Sequence, residues 1–412
     1  MSWGPDTAVT IPDGTTWDGV TGRQWESSGA SMEWAGFNYE FHLYRDLPPW
    51  TTPAWVETSY EIESFTINRG VASWWEGTRA GAASIRIVND DEITEGNIGI
   101  TWKYRLTVDT PSGEHDLFVG FAYAMQRDYT PESATLTLSL FDDIGYSAQN
   151  AVTADTTSGN TNAADLLRTL VAAYANGVAI AADYAGITAG QGLTVYGTYT
   201  AGNFLDLANS IVKGEPGLLY VDKSGIWQFR ERDWWDPQGD PVATIGSLDR
   251  GAGGDRDDPA LTEVRSVPWS ACRWFGKMGY NHVTMQPFGS THSYDTSTGW
   301  RKTSITVQLV SGVNAGETGY FIATTEGRND LAYSTIVTIA SDLTIDLMET
   351  AAAAEVGDLI EVSRETLPDY ARSWDPAHVT GIRHSFTPSS GWTTALSAFS
   401  VLAQRDVPVV QD

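Results

Sequence analysis

The chain carries 412 residues, 42% of them hydrophobic and 11% aromatic. That is room for about two to four domains with several buried cores, and no run approaches the ~20 apolar residues of a membrane-spanning helix. A formal net charge of −27 argues against capture of nucleic-acid phosphates, which needs clustered Lys and Arg, and the single cysteine, Cys272, excludes an internal disulfide and a cysteine-based zinc or iron–sulfur centre within one chain.

The opening residues, MSWGPDTAVTIPDG, lack the basic flank and apolar stretch of a secretory signal, so synthesis and folding in a cytoplasm are expected. Residues 1–35 are polar, Gly-rich and dotted with Trp3, Trp17, Trp25 and Trp34 without a sustained period. They read as an extended arm whose indoles need a surface to lie against, on a neighbouring domain or subunit.

Residues 36–148 read as β throughout. Strands are expected at residues 62–68, 83–89, 100–108, 117–123 and 135–140, and the cleanest alternates Ile100, Trp102, Tyr104, Leu106 and Val108 with Thr101, Lys103, Arg105 and Thr107. Five strands with turns between them suggest a closed or nearly closed antiparallel barrel, which would remove exposed sheet edges.

Residues 149–265 change texture to an inserted α/β module. A first helix carries Leu166, Leu167, Leu170, Val171 and Tyr174 on one face, with Asn176-Gly177 as its stop. A second places Phe204, Leu205, Leu207, Ala208, Ile211 and Val212 at helical spacing. Thr200 or Asn203 can cap it, Lys213 suits its negative end and Gly214 can close it. A hairpin follows, after Gly217, with strands at residues 218–221 and 226–229 joined by Asp222-Lys223-Ser224-Gly225, where Gly225 can take the positive φ of a bulged turn. The stretch DRGAGGDRDD (residues 249–258) reads as a Gly-rich return crossing.

Residues 266–412 return to strands, expected at residues 282–285, 305–309, 320–324, 336–339, 343–347, 359–362, 379–384 and 393–401. This part ends in a phrase similar to one before the insert. KYRLTVDT followed by VGFAYAMQRDYTPESATLTLSL matches DLIEVSRE followed by VTGIRHSFTPSSGWTTALSAFSV. Each has an alternating strand, a strand containing Gly120 or Gly381, a turn at Thr130-Pro131 or Thr387-Pro388, and a closing strand rich in Thr, Leu and Ser. Either a β-unit is duplicated or a strand–turn–strand phrase recurs by chance.

Catalytic constellations are not found. His42, His115, His282, His292, His378 and His384 do not form the His-Glu-x-x-His spacing, and neither the Gly-x-Ser-x-Gly elbow nor the phosphate-binding Gly-x-x-x-x-Gly-Lys loop occurs. Asp255, Asp257 and Asp258, or Asn89, Asp90, Asp91 and Glu92, could crowd oxygens around calcium, but neither keeps a known loop spacing, and solvated turns explain them better. The 17 tryptophans and many carboxylates leave a carbohydrate-binding or glycan-hydrolysing β-protein as the rival reading, against which Trp74-Trp75 and Trp234-Trp235 stand near expected strand ends, where core or interface packing is the commoner role. No enzyme activity, cofactor or metal is expected.

Four phrases in order carry a resemblance: ESFTINRGVASWWEGTRAGAASIRIVNDDE (residues 63–92), NFLDLANSIVKGEPGLLYVDKSGIWQFRER (residues 203–232), the strand at Asn281-His282-Val283-Thr284 after DDPALTEVRS, and VGDLIEVSRE with VTGIRHSFTPSSGWTTALS. Together the chain resembles the tail-tip or baseplate hub proteins, the minor tail proteins, of long-tailed bacteriophages. The resemblance implies two similar β-barrel domains flanking the insert, and a homotrimer whose six barrels make a pseudo-sixfold ring continuing the tail tube. Tape-measure protein and DNA would pass through without specific binding, and a negative lumen would let DNA slide. Expected partners are a distal tail ring protein, clamped by the Trp-rich arm, and other tail-tip or fibre proteins, with no membrane anchor, at the tail tip of the virion. The sequence ends at Asp412 without the peptidase, lysin or fibre domain of many relatives, so wall cutting and receptor binding are expected to fall to other proteins.

Overall fold

The computed structural model describes residues 30–34, 37–47, 54–58, 60–71, 77–88, 98–129, 134–149, 151–152, 156–178, 183–190, 194–199, 202–215, 217–231, 241–247, 265–269, 271–277, 282–286, 292–295, 304–308, 332–341, 344–362 and 375–399. The fold is mainly β, antiparallel, with few helices. Strands β1 (Ala30–Trp34), β2 (Phe37–Asp46), β3 (Val56–Glu57), β4 (Ile62–Gly70), β5 (Ala82–Val88), β6 (Lys103–Thr110), β7 (Gly113–Tyr129) and β8 (Ala134–Phe141) form the first half, closed by the short helix α1 (Asp143–Ala148). The end of the expected arm is therefore a strand: β1 pairs antiparallel with β2, Trp34 opposite Phe37.

The insert holds β9 (Ala151–Val152), β10 (Thr156–Asn162), helix α2 (Ala163–Val178), β11 (Thr194–Tyr199), β12 (Gly202–Asn203), helix α3 (Phe204–Gly214), β13 (Leu218–Val221) and β14 (Trp227–Arg230). Helix α3 forms as its sequence demands. The Asn203 side chain accepts hydrogen bonds from the Leu205 and Asp206 amides, Lys213 lies in the last turn, and Phe204, Ala208, Ile211 and Val212 are buried on one stripe. That stripe packs with Leu167 and Val171 of α2 and with Leu219, Trp227 and Phe229 of the β13–β14 hairpin in one core.

The second half holds β15 (Ala243–Ser247), β16 (Arg265–Trp269), β17 (Ala271–Lys277), β18 (His282–Gln286), β19 (His292–Asp295), β20 (Ser304–Gln308), β21 (Ala332–Ala340), helix α4 (Ile345–Ala353), β22 (Leu359–Val362), β23 (Asp375–Thr387) and β24 (Gly391–Phe399). One expectation is corrected here: of the strand expected at residues 343–347, the described residues 344–347 form no strand. Thr344 caps a helix instead, its hydroxyl accepting from the Leu347 amide, and Leu347, Met348, Ala351 and Ala352 are buried along α4. An N-cap threonine, Asp346 in the first turn and an alanine run outweigh the period of two in Leu343, Ile345 and Leu347.

A 15-stranded sheet runs through both halves. In the first the order is β4-β5-β8-β7-β6-β2 and in the second β17-β21-β24-β23-β22-β15. Registers repeat as well. The β7–β8 ladder slips by one residue between Ala122 and Ala124 and resumes at Ser139, and the β23–β24 ladder slips between Val379 and Gly381 and resumes at Ser397. Thr101 (φ 73) and Gly357 (φ 104) occupy matching corners: their amides donate to the carbonyls of Ala122 and Val379, whose own amides donate to Trp102 and Asp358. The halves differ at one edge, where β2 lies antiparallel to β6 but β15 lies parallel to β22.

Neither half closes by hydrogen bonds among the described residues. No ladder joins β2 to β4. The first half is shut by side chains: Phe41 of β2 packs edge-on against Phe65 of β4 at 4.7 Å between ring centroids, and against Phe386 and Trp392 from the β23–β24 hairpin at 4.9 and 5.6 Å. Met348, Ala351 and Ala352 of α4 join the same core. The second half thus lends a hairpin tip and a helix to the core of the first.

Candidate functional site: the seam between the halves

No group of three or more His, Cys, Asp or Glu side chains able to hold a metal occurs among the described residues, and no helix there is long and apolar enough to cross a membrane. Among the described residues, a buried charged cluster lies where the two halves and the insert meet. Strand β4 adds antiparallel to the outer edge of β23, setting Gly70 opposite Gly381, Ile67 opposite His384 and Phe65 opposite Phe386. Beyond Val379 that edge is no longer covered by β22, whose ladder ends at His378.

The approach at the top of this ladder is close enough to require glycine. Gly70 has φ +71, and a Cβ on it would stand 2.2 Å from the Thr380 carbonyl; a Cβ on Gly381 would stand 2.6 Å from the Val71 carbonyl. The Val71 amide donates to that Thr380 carbonyl at 2.7 Å. Beneath it lies a charged knot. Arg69, whose side chain is 2% exposed, donates through Nη1 to Glu355 Oε1 at 2.5 Å. Glu355 Oε2 accepts from the Lys223 amide at 3.0 Å, and Lys223 Nζ donates to the carbonyls of Ala352 and Ala353 at 2.8 Å each, a cation at the negative end of α4. One turn of the insert therefore ties β4 of the first half to α4 of the second.

Electrostatics follow burial. Desolvation pushes the Lys223 ammonium down and the Asp358 carboxyl up, and holds the Tyr220 hydroxyl at about 12. Two buried histidines flank the seam. Burial lowers His378 to about 4 and His384 well below its ordinary value, so both are neutral, with His384 Nδ1 2.9 Å from the Thr394 hydroxyl.

The residues singled out from sequence that are described fall in four places. Gly381 is in the seam. Gly217 and Gly225 belong to the β13–β14 hairpin. Gly225 has φ +87, as its turn demands, and a Cβ on it would stand 3.0 Å from Val119, while a Cβ on Gly217 would meet the Arg230 carbonyl at 2.5 Å. Gly120 lies next to Val119 in β7, where a Cβ would stand 2.3 Å from the Phe141 carbonyl. The same turn is fastened to β7 by Ser224 Oγ, which donates to Asp116 Oδ2 at 2.7 Å. Thr387 and Pro388 sit at the β23–β24 hairpin tip, where Thr387 Oγ1 accepts from the Ser390 amide at 3.2 Å. Thr130 and Pro131 lie outside the described residues, as do Trp74, Trp75, Trp234, Trp235, residues 1–29, 89–92, 249–258 and 320–324. Arg69, Lys223 and Glu355 escape sequence reasoning because their partners are 286 and 132 residues apart.

No protein-family model matches the sequence, and no curated protein matches it. Solved structures do. A tail protein from Neisseria meningitidis MC58 matches with a TM-score of 0.58 at 12% identity, covering 90% of this chain and 99% of that one. The chain has a tail-protein fold. The 43 kDa tail protein of prophage MuSo2 from Shewanella oneidensis matches with a TM-score of 0.51 at 11% identity, covering 89% of this chain and 99% of that one. At such identities the likeness to these tail proteins is a likeness of fold.

Proposed function

We propose that this chain is a structural, non-enzymatic protein of a bacteriophage tail, a hub at the tail tip whose trimer encloses a passage of sixfold appearance. The repeated strand order and register carry this reading. Two units per chain that share β4-β5-β8-β7-β6 connectivity, slip their ladders at the same residue and turn at the same positive-φ corner make six similar units from three chains. The tail-protein fold supports it, as does a net charge of −27, which disfavours adhesion of DNA to an enclosed wall. In this reading residues 36–148 and 266–412 are the two hub domains and residues 149–265 the insert, whose β15 adds to the sheet of the second hub domain beside β22. The distal tail ring protein lies on one side, tape-measure protein and DNA pass within, and other tail-tip or fibre proteins bind outside.

Light scattering of the purified chain tests this directly. A mass of three chains, with ring-shaped projections holding a central hole in negative stain, is the expected result. A chain monomeric at every concentration, and absent from the distal end of labelled tails, overturns the proposal.

A further inference from the structure

Within one chain the first half donates the edge strand β4 to β23, and the β23–β24 hairpin in return closes the core of the first half. The repeated topology contains the same two surfaces a second time, with no ladder on them among the described residues. Strand β17 stands where β4 stands, on the outside of β21 as β4 is on the outside of β5; among the described residues it has a ladder on one side only. Strand β7 stands where β23 stands. Its β6 ladder ends at Phe121, Ala122 is held by Thr101 and Trp102, and no ladder among the described residues covers the same edge from Ala124 to Tyr129. That edge carries Tyr129 at 68% exposed, whereas its counterpart Phe386 is 1% exposed beneath β4. An open edge next to a large exposed aromatic is a pairing surface.

We infer that β17 of one copy of this chain adds antiparallel to the β7 edge of a second copy, as β4 adds to β23 inside the chain, and that the β7–β8 hairpin of the second copy closes the core of the first copy's second half. Matching the ladders fixes the register. Ala83 opposes Ile67 and Leu140, while Thr335 opposes Trp274 and Ala398, so Trp274 takes the place of Ile67. Since Ile67 faces His384 and Phe65 faces Phe386, Trp274 faces Arg127 and Cys272 faces Tyr129 of the second copy. Asp128 then faces Arg273, a pairing of opposite charges directly across the ladder. A charge pair in this register is what a built interface requires, and a one-residue slip would lose it. The inference rests on the trimeric reading and supplies its interface: each chain gives the β17 edge and receives one on β7, so three copies close head to tail with neither of these two edges left open.

Cys272 is the chain's only cysteine, which makes the register directly testable. Residues directly opposed in an antiparallel ladder lie about 4.5–5.5 Å apart at Cα, within the reach of a disulfide. Tyr129→Cys, mixed with diamide and run without reductant, is expected to link up to three chains and no more. Wild type and Gln126→Cys, which is three residues and ~10 Å out of register, should remain single. A Tyr129→Cys variant that links no better than Gln126→Cys overturns the pairing; if it is still trimeric by light scattering, the ring survives and only the edge assignment falls. Links that run beyond three chains keep the pairing and overturn the closed trimer. A second pair of variants guards against misfolding: Asp128→Arg is expected to weaken association about ten-fold, and Asp128→Arg with Arg273→Asp to restore it. No restoration counts against the register.

Discussion

Gly70 and Gly381 face each other where the chain's two halves are joined, and neither has space for a methyl group. Gly70 also holds φ +71, a conformation that costs an L-residue about 1–2 kcal/mol before any clash is counted. Gly70→Ala is therefore expected to lower stability by about 2 kcal/mol or more, read as a fall in the urea midpoint without loss of the far-ultraviolet β signal. The buried histidines give a second outcome at this scale. His378 binds its proton at about 4 in the folded chain against 6.5 in the unfolded one, chiefly through desolvation. Its contribution to stability is complete above pH 6.5 and is lost as pH falls towards 4, about 3 kcal/mol across the window. His384 acts with the same sign. Urea midpoints measured from pH 7 to pH 4.5 should fall in the wild type and fall less in His378→Gln; a steeper fall in the variant would refute the assignment.

At the scale of elements, the turn between β13 and β14 does more than reverse the chain. It places Lys223 against α4 and, through Glu355, holds Arg69 of β4 in a nearly dry environment. Removing one partner of a buried pair strands the other charge, so Glu355→Gln is expected to cost about 3 kcal/mol, and Arg69→Met with Glu355→Leu less than that. Calorimetry of the two variants checks the order; equal losses would mean the pair acts by packing alone. The elements legible in the sequence are the local ones. Asn203, Lys213 and the apolar stripe specify α3, and Gly225 specifies its hairpin, because every group involved lies within a few residues. Helix α4 is less legible: Leu343, Ile345 and Leu347 alternate like a strand, while its buried face is used only because the first half offers a core to cover.

Across the whole molecule, the repeated phrase before and after the insert marks a repeated arrangement of five strands, down to the same ladder slip beside Ser139 and Ser397. Its exceptions are informative. β15 and β16 run parallel where β2 runs antiparallel, and they are the first strands the chain forms after β14 of the insert. Among the described residues the first half, expected to close as a barrel, closes through aromatic packing between Phe41, Phe65, Phe386 and Trp392 without a β2–β4 ladder. An edge-strand protein of this kind completes its cores by exchange between units, first within the chain and then, in the inferred assembly, between copies.

The sequence by itself determined the β-rich composition, the helices and hairpin of residues 163–230, the caps and turns of α3, and the likeness of the two flanking phrases, since these depend on periodicity and neighbours a few residues away. Only the tertiary structure decided that β4 pairs with β23, that Arg69 meets Glu355, and that α4 is a helix covering another unit's core. Such contacts join residues hundreds of positions apart, and their free energy comes from burying surfaces that no local pattern specifies.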